Sequence, residues 1–312
     1  MKTINNVATL TNVNGVGVIA IHFPPVNALS ASVRDGIHGA MQAAIADPAI
    51  DAVVLRCEGS TFIAGADITE FGKPPAGVSL GEVQRILEES PKPVVAAIHG
   101  TALGGGLEVA LVCHYRIAVP TARLGLPEVN IGLLPGAGGT QRLPRIVGPE
   151  AALEMMTSGA HVRAKDALQS GLLDELAPED DLTGAAVALA RRVVDEKRPL
   201  RKIRDQNEKV EAARGQPEIF AKFRQANAKK FRGFEAPKKI IECVEAAVNL
   251  PIDEGLQLER KYFMELMKGD QSAAQRYYFF ASRQAWNVPG LAKDAAILPV
   301  QSVGVIGAGT MG

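Results

Sequence analysis

The chain has 312 residues, 47% hydrophobic and 22% charged, the composition of an ordinary globular protein with room for two domains. Its 34 basic and 34 acidic residues cancel, which argues against bulk electrostatic attraction to nucleic acid or to an anionic membrane. No uninterrupted apolar run approaches the roughly 20 residues needed to cross a bilayer, and Met1-Lys-Thr-Ile-Asn-Asn-Val7 has no apolar signal core.

Along the first 190 or so residues, strand-like and helix-like segments alternate. Val16 to His22 is short and β-branched, the pattern of a strand. Val33, Ile37, Ala40, Met41 and Ala44 recur at helical spacing, and Asp47-Pro48 stops that helix. Ala52 to Arg56 and Val94 to Ile98 are the next apolar strands, short enough to be buried in a mostly parallel sheet. Each leads through a glycine-bearing loop into a helical pattern, the repeating unit of an α/β fold. Ligands in such folds collect at the carboxyl ends of strands, where Ala64-Gly-Ala66 and Gly104-Gly-Gly106 fall.

Beyond about Ala190 the pattern is charged and helical, over Arg191 to Glu211, Glu218 to Arg232 and Pro237 to Val248. Asn249-Leu-Pro251-Ile-Asp-Glu254 reads as a further helix start, with Asn249 as the cap and acids in the first turn. Ile252, Leu256, Phe263, Leu266 and Met267 mark its apolar face; Gly269-Asp270 breaks it, and Ser272 to Trp286 reads as one more helix. At the end, Val303-Gly-Val-Ile306 reads as a strand leading into Gly307-Ala-Gly309-Thr-Met-Gly312. A GxGxxG directly after a strand is the start of a dinucleotide-binding βαβ unit. The helix that would hold a pyrophosphate does not follow, and the expectation is a piece of a longer chain. A lone strand of this kind carries unpaired backbone groups.

Three segments carry the chemistry. Phe62-Ile-Ala-Gly-Ala-Asp-Ile68 is a glycine loop; Thr101-Ala-Leu-Gly-Gly-Gly-Leu-Glu108 opens a helix predicted over 105–113; Leu124-Gly-Leu-Pro-Glu128 ends on a second acid. Free N–H groups at a helix N-terminus suit an oxygen that is gaining charge, and glycine lets a ligand approach the backbone. Two carboxyl groups beside two such stretches are the parts needed to move protons next to a thioester enolate. Each acid also has a plainer reading, Glu108 as a first-turn glutamate and Glu128 as an ordinary Pro-Glu turn. The three cysteines are an odd number and widely spaced, and the five histidines lack HxxxH or HExxH spacing. Neither a disulfide framework nor a metal site is therefore expected, and a reducing, intracellular setting is. Asp67 reads as ordering its loop or capping the next helix, Gly136 to Gly139 as a tight turn before a helix from Thr140, and Arg142 and Arg145 as a solvated helix face, with contact to a ligand's phosphates as the alternative. The histidines read as structural.

Taken together, Ala64-Gly-Ala-Asp67, Gly104-Gly-Gly-Leu-Glu108, Pro127-Glu128 and Leu134-Pro-Gly-Ala-Gly-Gly-Thr-Gln-Arg-Leu143 closely resemble the enoyl-CoA hydratase (crotonase) family, over about the first 180 residues. The resemblance implies a crotonase-like α/β fold. It implies that Glu108 and Glu128 are the catalytic carboxylates and that the N–H groups of Ala66 and Gly105 form an oxyanion hole. By the same resemblance, Glu128 is expected to act as base on a water attacking the β-carbon and Glu108 to protonate the α-carbon; in a Δ3-Δ2 isomerisation Glu128 would shuttle the proton. The expected partner is an acyl-CoA thioester, with no nucleic acid, no membrane and no cofactor for hydration. A crotonase-like region, a helical stretch and a GxGxxG strand, in that order, resemble the multifunctional β-oxidation enzymes. His114 to Ala118 and the segment from Pro299 look most like their monomeric peroxisomal-type members and bacterial relatives. This implies a division into a hydratase/isomerase domain (1–190), a helical linker (191–297) and the start of an NAD-binding 3-hydroxyacyl-CoA dehydrogenase domain (298–312), a Rossmann-type unit. Gly307, Gly309 and Gly312 would then serve NAD only in a longer parent chain, which would be cytoplasmic in a bacterium and peroxisomal in a eukaryote. The rival reading is a non-catalytic acyl-CoA-binding protein on the same scaffold, which has no need of two carboxylates facing a thioester.

Overall fold

Alternation along the central strands explains how one sheet is buried on both faces. The structure, a computed structural model, describes residues 1–286, 290, 296, 299–307 and 309. Strands β1 (Lys2–Thr3), β2 (Ala8–Val13), β3 (Val16–Ile21), β4 (Ala52–Cys57), β5 (Val94–Ile98), β7 (Tyr115–Ala118) and β10 (Glu175–Leu176) form a seven-stranded sheet in the order β1-β2-β3-β4-β5-β7-β10. It is antiparallel from β1 to β3 and parallel from β3 to β10. Ile19, Ile21, Val53, Leu55, Val94, Ala96 and Ile98 face the larger core together with helix α1 (Ala31–Ala46). Their neighbours Val16, Val18, Ala52, Val54, Val95 and Ala97 face helix α7 (Leu182–Asp195). The buried positions of α1 include all five apolar residues whose spacing predicts it.

A smaller sheet, β6 (Thr101–Leu103), β8 (Arg123–Gly125) and β9 (Val162–Arg163), stands apart from the first. Around them pack α2 (Leu80–Glu88), α3 (Gly105–Val112), α4 (Gly139–Val147), α5 (Pro149–Ser158) and α6 (Ala164–Ser170), with α3 against β6 and α6 against β8, β9 and β10. Helices α8 (Glu208–Ala213), α9 (Glu218–Asn227), α10 (Ala236–Asn249), α11 (Ile252–Lys268) and α12 (Asp270–Gln284) form a cap. Helix α10 packs against α4 and α5, α11 against α4, and α12 against the 3-10 turn Glu128–Ile131. Helix α7 runs through position 190, so the change in sequence character there falls inside a helix.

Three local expectations need correction. Asn249 does not cap α11: it is the last residue of α10, its amide donating to the Glu245 carbonyl at 2.9 Å, and Pro251 precedes α11 without a side-chain cap. Arg142 and Arg145 are buried, 5% and 4% exposed, and not on a solvated face. Residues 303–306 form no strand; Val303, Val305 and Ile306 are exposed. A strand exists through its ladder partners, and among the described residues none pairs with this segment. Gly307 has a φ of +105°, nothing lies close to Gly309, and Gly312 is outside the described residues.

Candidate active site

The loop after β4 carries Ala66. Buried Asn27 ties it down: its amide donates to the carbonyls of Glu58 (2.8 Å) and Thr61 (2.9 Å), while its oxygen accepts from the Phe23 N–H at 2.7 Å. The Gly65 carbonyl accepts from Leu29 at 2.9 Å and the Ile63 carbonyl from Leu103 at 3.0 Å, which docks the loop beside β6. Asp67 caps the next 3-10 turn by accepting from the Thr69 N–H at 3.0 Å, the role its sequence predicts.

Helix α3 starts against this loop. Gly104, at φ +52° and ψ −129°, has a backbone shape that disfavours any side chain, and a Cβ there would lie 2.7 Å from Glu128 Oε1. A Cβ on Gly106 would collide with the Ile63 carbonyl, so glycine is what lets α3 touch the loop. As a result the Ala66 nitrogen is 3.6 Å from where a Gly105 Cβ would stand. Neither the Ala66 nor the Gly105 N–H donates to another group among the described residues, so the two form an adjacent pair of donors at a helix N-terminus.

Glu108 sits on the first turn of α3, 3% exposed. Its Oε1 accepts from the N–H groups of Ala137 and Gly139, each at 2.8 Å. The tight turn predicted at 136–139 is thus a cradle for a carboxylate as well as a helix entry. Gln84 of α2 pins it from the other side, its amide donating to the Ala137 carbonyl at 2.7 Å. Burial raises the Glu108 pKa, while the two N–H donors and the Arg142 charge pull it down. Arg142 in turn is held by both oxygens of Glu88, at 3.1 and 3.0 Å, in a buried fork.

Glu128 enters from the opposite side, at the start of the 3-10 turn after β8. The residue as a whole is half-buried, but its Oε2 is sealed from solvent and has no partner among the described residues. Burial raises its pKa well above the usual carboxylate range, and the charges of Glu108 and Glu259 add to the effect. All four residues expected from the motifs, Ala66, Gly105, Glu108 and Glu128, therefore lie within one site. Of the tail glycines, Gly307 and Gly309 do not join it, and Gly312 lies outside the described residues.

The unexpected member is Glu259, on α11 and 1% exposed. Its Oε1 accepts from the Gly138 N–H at 2.6 Å and its Oε2 from the Thr140 N–H at 3.0 Å and the Thr140 hydroxyl at 2.5 Å. Its signal in the sequence is slight: it is the one acid on the face that carries Ile252, Leu256, Phe263 and Leu266.

The enoyl-CoA hydratase/isomerase family pattern matches residues 11–246 of the chain. A peroxisomal bifunctional enzyme of Danio rerio is 44% identical over 95% of this chain and 41% of its own length. The glyoxysomal fatty acid beta-oxidation multifunctional protein MFP-a of Cucumis sativus is 35% identical over 100% of this chain and 44% of its own. The chain thus spans about two fifths of the length of these curated relatives. Among solved structures, a carnitinyl-CoA hydratase from Mycobacterium avium matches with a TM-score of 0.65 and 29% identity, over 90% of this chain and 97% of the other.

Proposed function

The chain belongs to the enoyl-CoA hydratase/isomerase family, and from that premise we propose that it hydrates 2-trans-enoyl-CoA to 3-hydroxyacyl-CoA. The observation that carries this reading is the pairing of the buried carboxyl of Glu108 and the sealed Oε2 of Glu128 with two adjacent N–H donors that have no acceptor among the described residues. The thioester oxygen accepts from Ala66 and Gly105, which draws electron density from the conjugated double bond. Each such donor is typically worth about 2.7–4 kcal/mol in the transition state.

Hydrogen bonding favours a division of labour opposite to the one the resemblance suggested. Two N–H donors and Arg142 favour the Glu108 anion, whereas unpartnered Glu128 favours its neutral form. The Glu108 charge adds to burial in raising the pKa of Glu128. In this reading Glu108 starts as the anion and Glu128 as the acid. Glu108 takes a proton from water as the water oxygen bonds to the β-carbon. The π electrons shift to form an enolate, whose oxygen the two N–H groups hold. The enolate collapses as the α-carbon takes the proton of Glu128. Proton return from Glu108 to Glu128 restores the pair. The same assignment suits Δ3-Δ2 isomerisation, because one group, Glu128, handles the α-carbon proton in both reactions.

The longer relatives are named bifunctional or multifunctional. We propose on that ground that residues 1–190 are the hydratase/isomerase unit in sequence terms, 191–297 its helical extension, and 298–312 the entry to an NAD-dependent 3-hydroxyacyl-CoA dehydrogenase of a parent protein. The described part of that entry forms no dinucleotide site by itself: 303–306 have no strand partner among the described residues. No step of the reaction runs through NAD here. The peroxisomal and glyoxysomal names of the relatives favour the eukaryotic organelle over a bacterial cytoplasm. No helix among the described residues is long and apolar enough to cross a membrane.

The test is to mix the chain with crotonyl-CoA and follow loss of the conjugated thioester absorbance. Catalytic turnover to 3-hydroxybutyryl-CoA is expected; saturable binding without turnover would favour the binding-protein reading instead. In the same preparation, calorimetry with NADH is expected to give no saturable heat in the micromolar range.

A further inference from the structure

The turn 137–140 is gripped from both sides. Its N–H groups go alternately to two carboxylates: 137 and 139 to Glu108, 138 and 140 to Glu259. One carboxylate belongs to α3 beneath the turn, the other to α11 above it, outside the residues 11–246 that the family pattern covers. We propose that Glu259 is a positioning residue for hydration, holding the turn whose other face orients the carboxylate of Glu108. This rests on the reading of the site as a hydratase.

The donor set supports a dedicated role. The Thr140 hydroxyl oxygen accepts from the Gln141 amide at 3.0 Å, so its single hydrogen is directed to Glu259 Oε2. All three groups that meet the carboxyl of Glu259 are therefore donors, so the anion formed as pH rises through about 8 keeps all three contacts. A buried acid placed only to fill space would cost stability without such partners. Glycine is needed at the same place: Gly138 has a φ of +95°, and a Cβ on Gly139 would lie 2.8 Å from Glu108 Oε1. Within the turn only Thr140 has a polar side chain, and the two carboxylates and Gln84 hold the rest.

Glu259 also acts at a distance. Its charge raises the pKa of Glu128, so at alkaline pH, where Glu259 is ionised, it helps Glu128 keep the proton it delivers. The groups that face this trio are Arg142 on α4, its partner Glu88 on α2, Arg204 3.9 Å from Glu88, and the buried thiol of Cys243 on α10. Of these, Arg142 opposes the effect at Glu108, and none replaces the Glu259 charge beside Glu128.

Glu259→Gln puts an amide among three donors. It is expected to lower kcat by about 10- to 10²-fold, the scale of a small misplacement of a catalytic group, with KM for crotonyl-CoA changed less than about threefold. The alkaline limb of the kcat profile should move to lower pH, because Glu128 loses its proton more readily without the neighbouring charge. In a Glu108→Gln background the same substitution should change kcat by less than about twofold, since the group it positions is gone. If Glu259→Gln fails to fold, Thr140→Val deletes one donor and leaves the carboxylate in place; it should lower kcat, and Thr140→Ser should restore it. A folded Glu259→Gln with the kcat and pH profile of the unaltered chain, where Glu108→Gln still abolishes hydration, overturns this proposal alone. An unaltered chain that does not hydrate crotonyl-CoA overturns both this proposal and the hydratase reading.

Discussion

The α/β layer and the helical cap meet at the turn 137–140 and contribute to it in different ways. The α/β layer supplies mostly backbone: the N–H groups of Ala66 and Gly105, the cradle of 137 and 139, and two acids at the ends of short elements. The cap supplies one side chain, Glu259, from the middle of a 17-residue helix. Backbone donors cannot shift without moving the chain, whereas a side chain on α11 stays in place only while α11 stays packed. The difference suggests that chemistry resides in the α/β layer and its alignment depends on the cap.

The largest effect should come from breaking the α/β side. Glu108→Gln or Glu128→Gln should each lower hydration of crotonyl-CoA by about 10²–10⁴-fold, the range for a positioned acid or base. Near-normal kcat in either folded variant would remove that residue from the mechanism. Arg142→Met leaves Glu88 buried without its fork, which should cost about 3–5 kcal/mol in stability by denaturant unfolding. An unchanged midpoint would mean that Arg204, 3.9 Å away, takes over. Gly105→Pro deletes one proposed donor and should cost on the order of 10²–10³ in kcat, provided circular dichroism shows an intact fold. Retained activity would assign the oxygen to another group.

The cap can be tested through pH. Burial and the Glu108 charge push Glu259 up to about 8, against about 4.3 in an unfolded chain. Between those values the folded state holds a proton that the unfolded state lacks. This group therefore contributes stability that is fully present below about 4.3 and is lost as pH rises through about 8. The thermal midpoint should fall across that window, and less steeply in Glu259→Gln; Glu108 and Glu128, also raised, keep part of the slope. Parallel slopes would mean that Glu259 is ionised throughout. The smallest effect belongs to the outer face of α12, where Tyr277 is 78% exposed. Tyr277→Ser should change stability by less than about 0.5 kcal/mol and leave kcat alone; a larger loss would tie the outer surface of the cap to the site.

What was legible in the sequence follows the same division. Loops that use backbone need glycine at fixed places, so Gly104 to Gly106 and Gly65 announced the site. The strands were legible because alternate residues such as Val53 and Val54 are buried on opposite faces of one sheet. Arg142 was misread because a charge on a helix suggests solvent, and its partner Glu88 lies 54 residues away. Asn249 was misread because a capping residue also ends helices, and here α10 and α11 are separated by only Leu250 and Pro251. Glu259 was missed because its meaning depends on a turn 119 to 121 residues upstream that no local pattern connects to it. The 303–306 segment has the composition of a strand, but composition supplies no ladder partner.

The central claim is that the carboxyl groups of Glu108 and Glu128 move protons onto and off a bound enoyl thioester. The most direct measurement is to run crotonyl-CoA hydration in D2O and determine the isotope at the α-carbon of the product. The account predicts catalytic turnover with one deuterium at that carbon, and loss of both turnover and incorporation, by at least about 10²-fold, in Glu128→Gln. A folded Glu128→Gln that still hydrates and labels the α-carbon at the unaltered rate would contradict it.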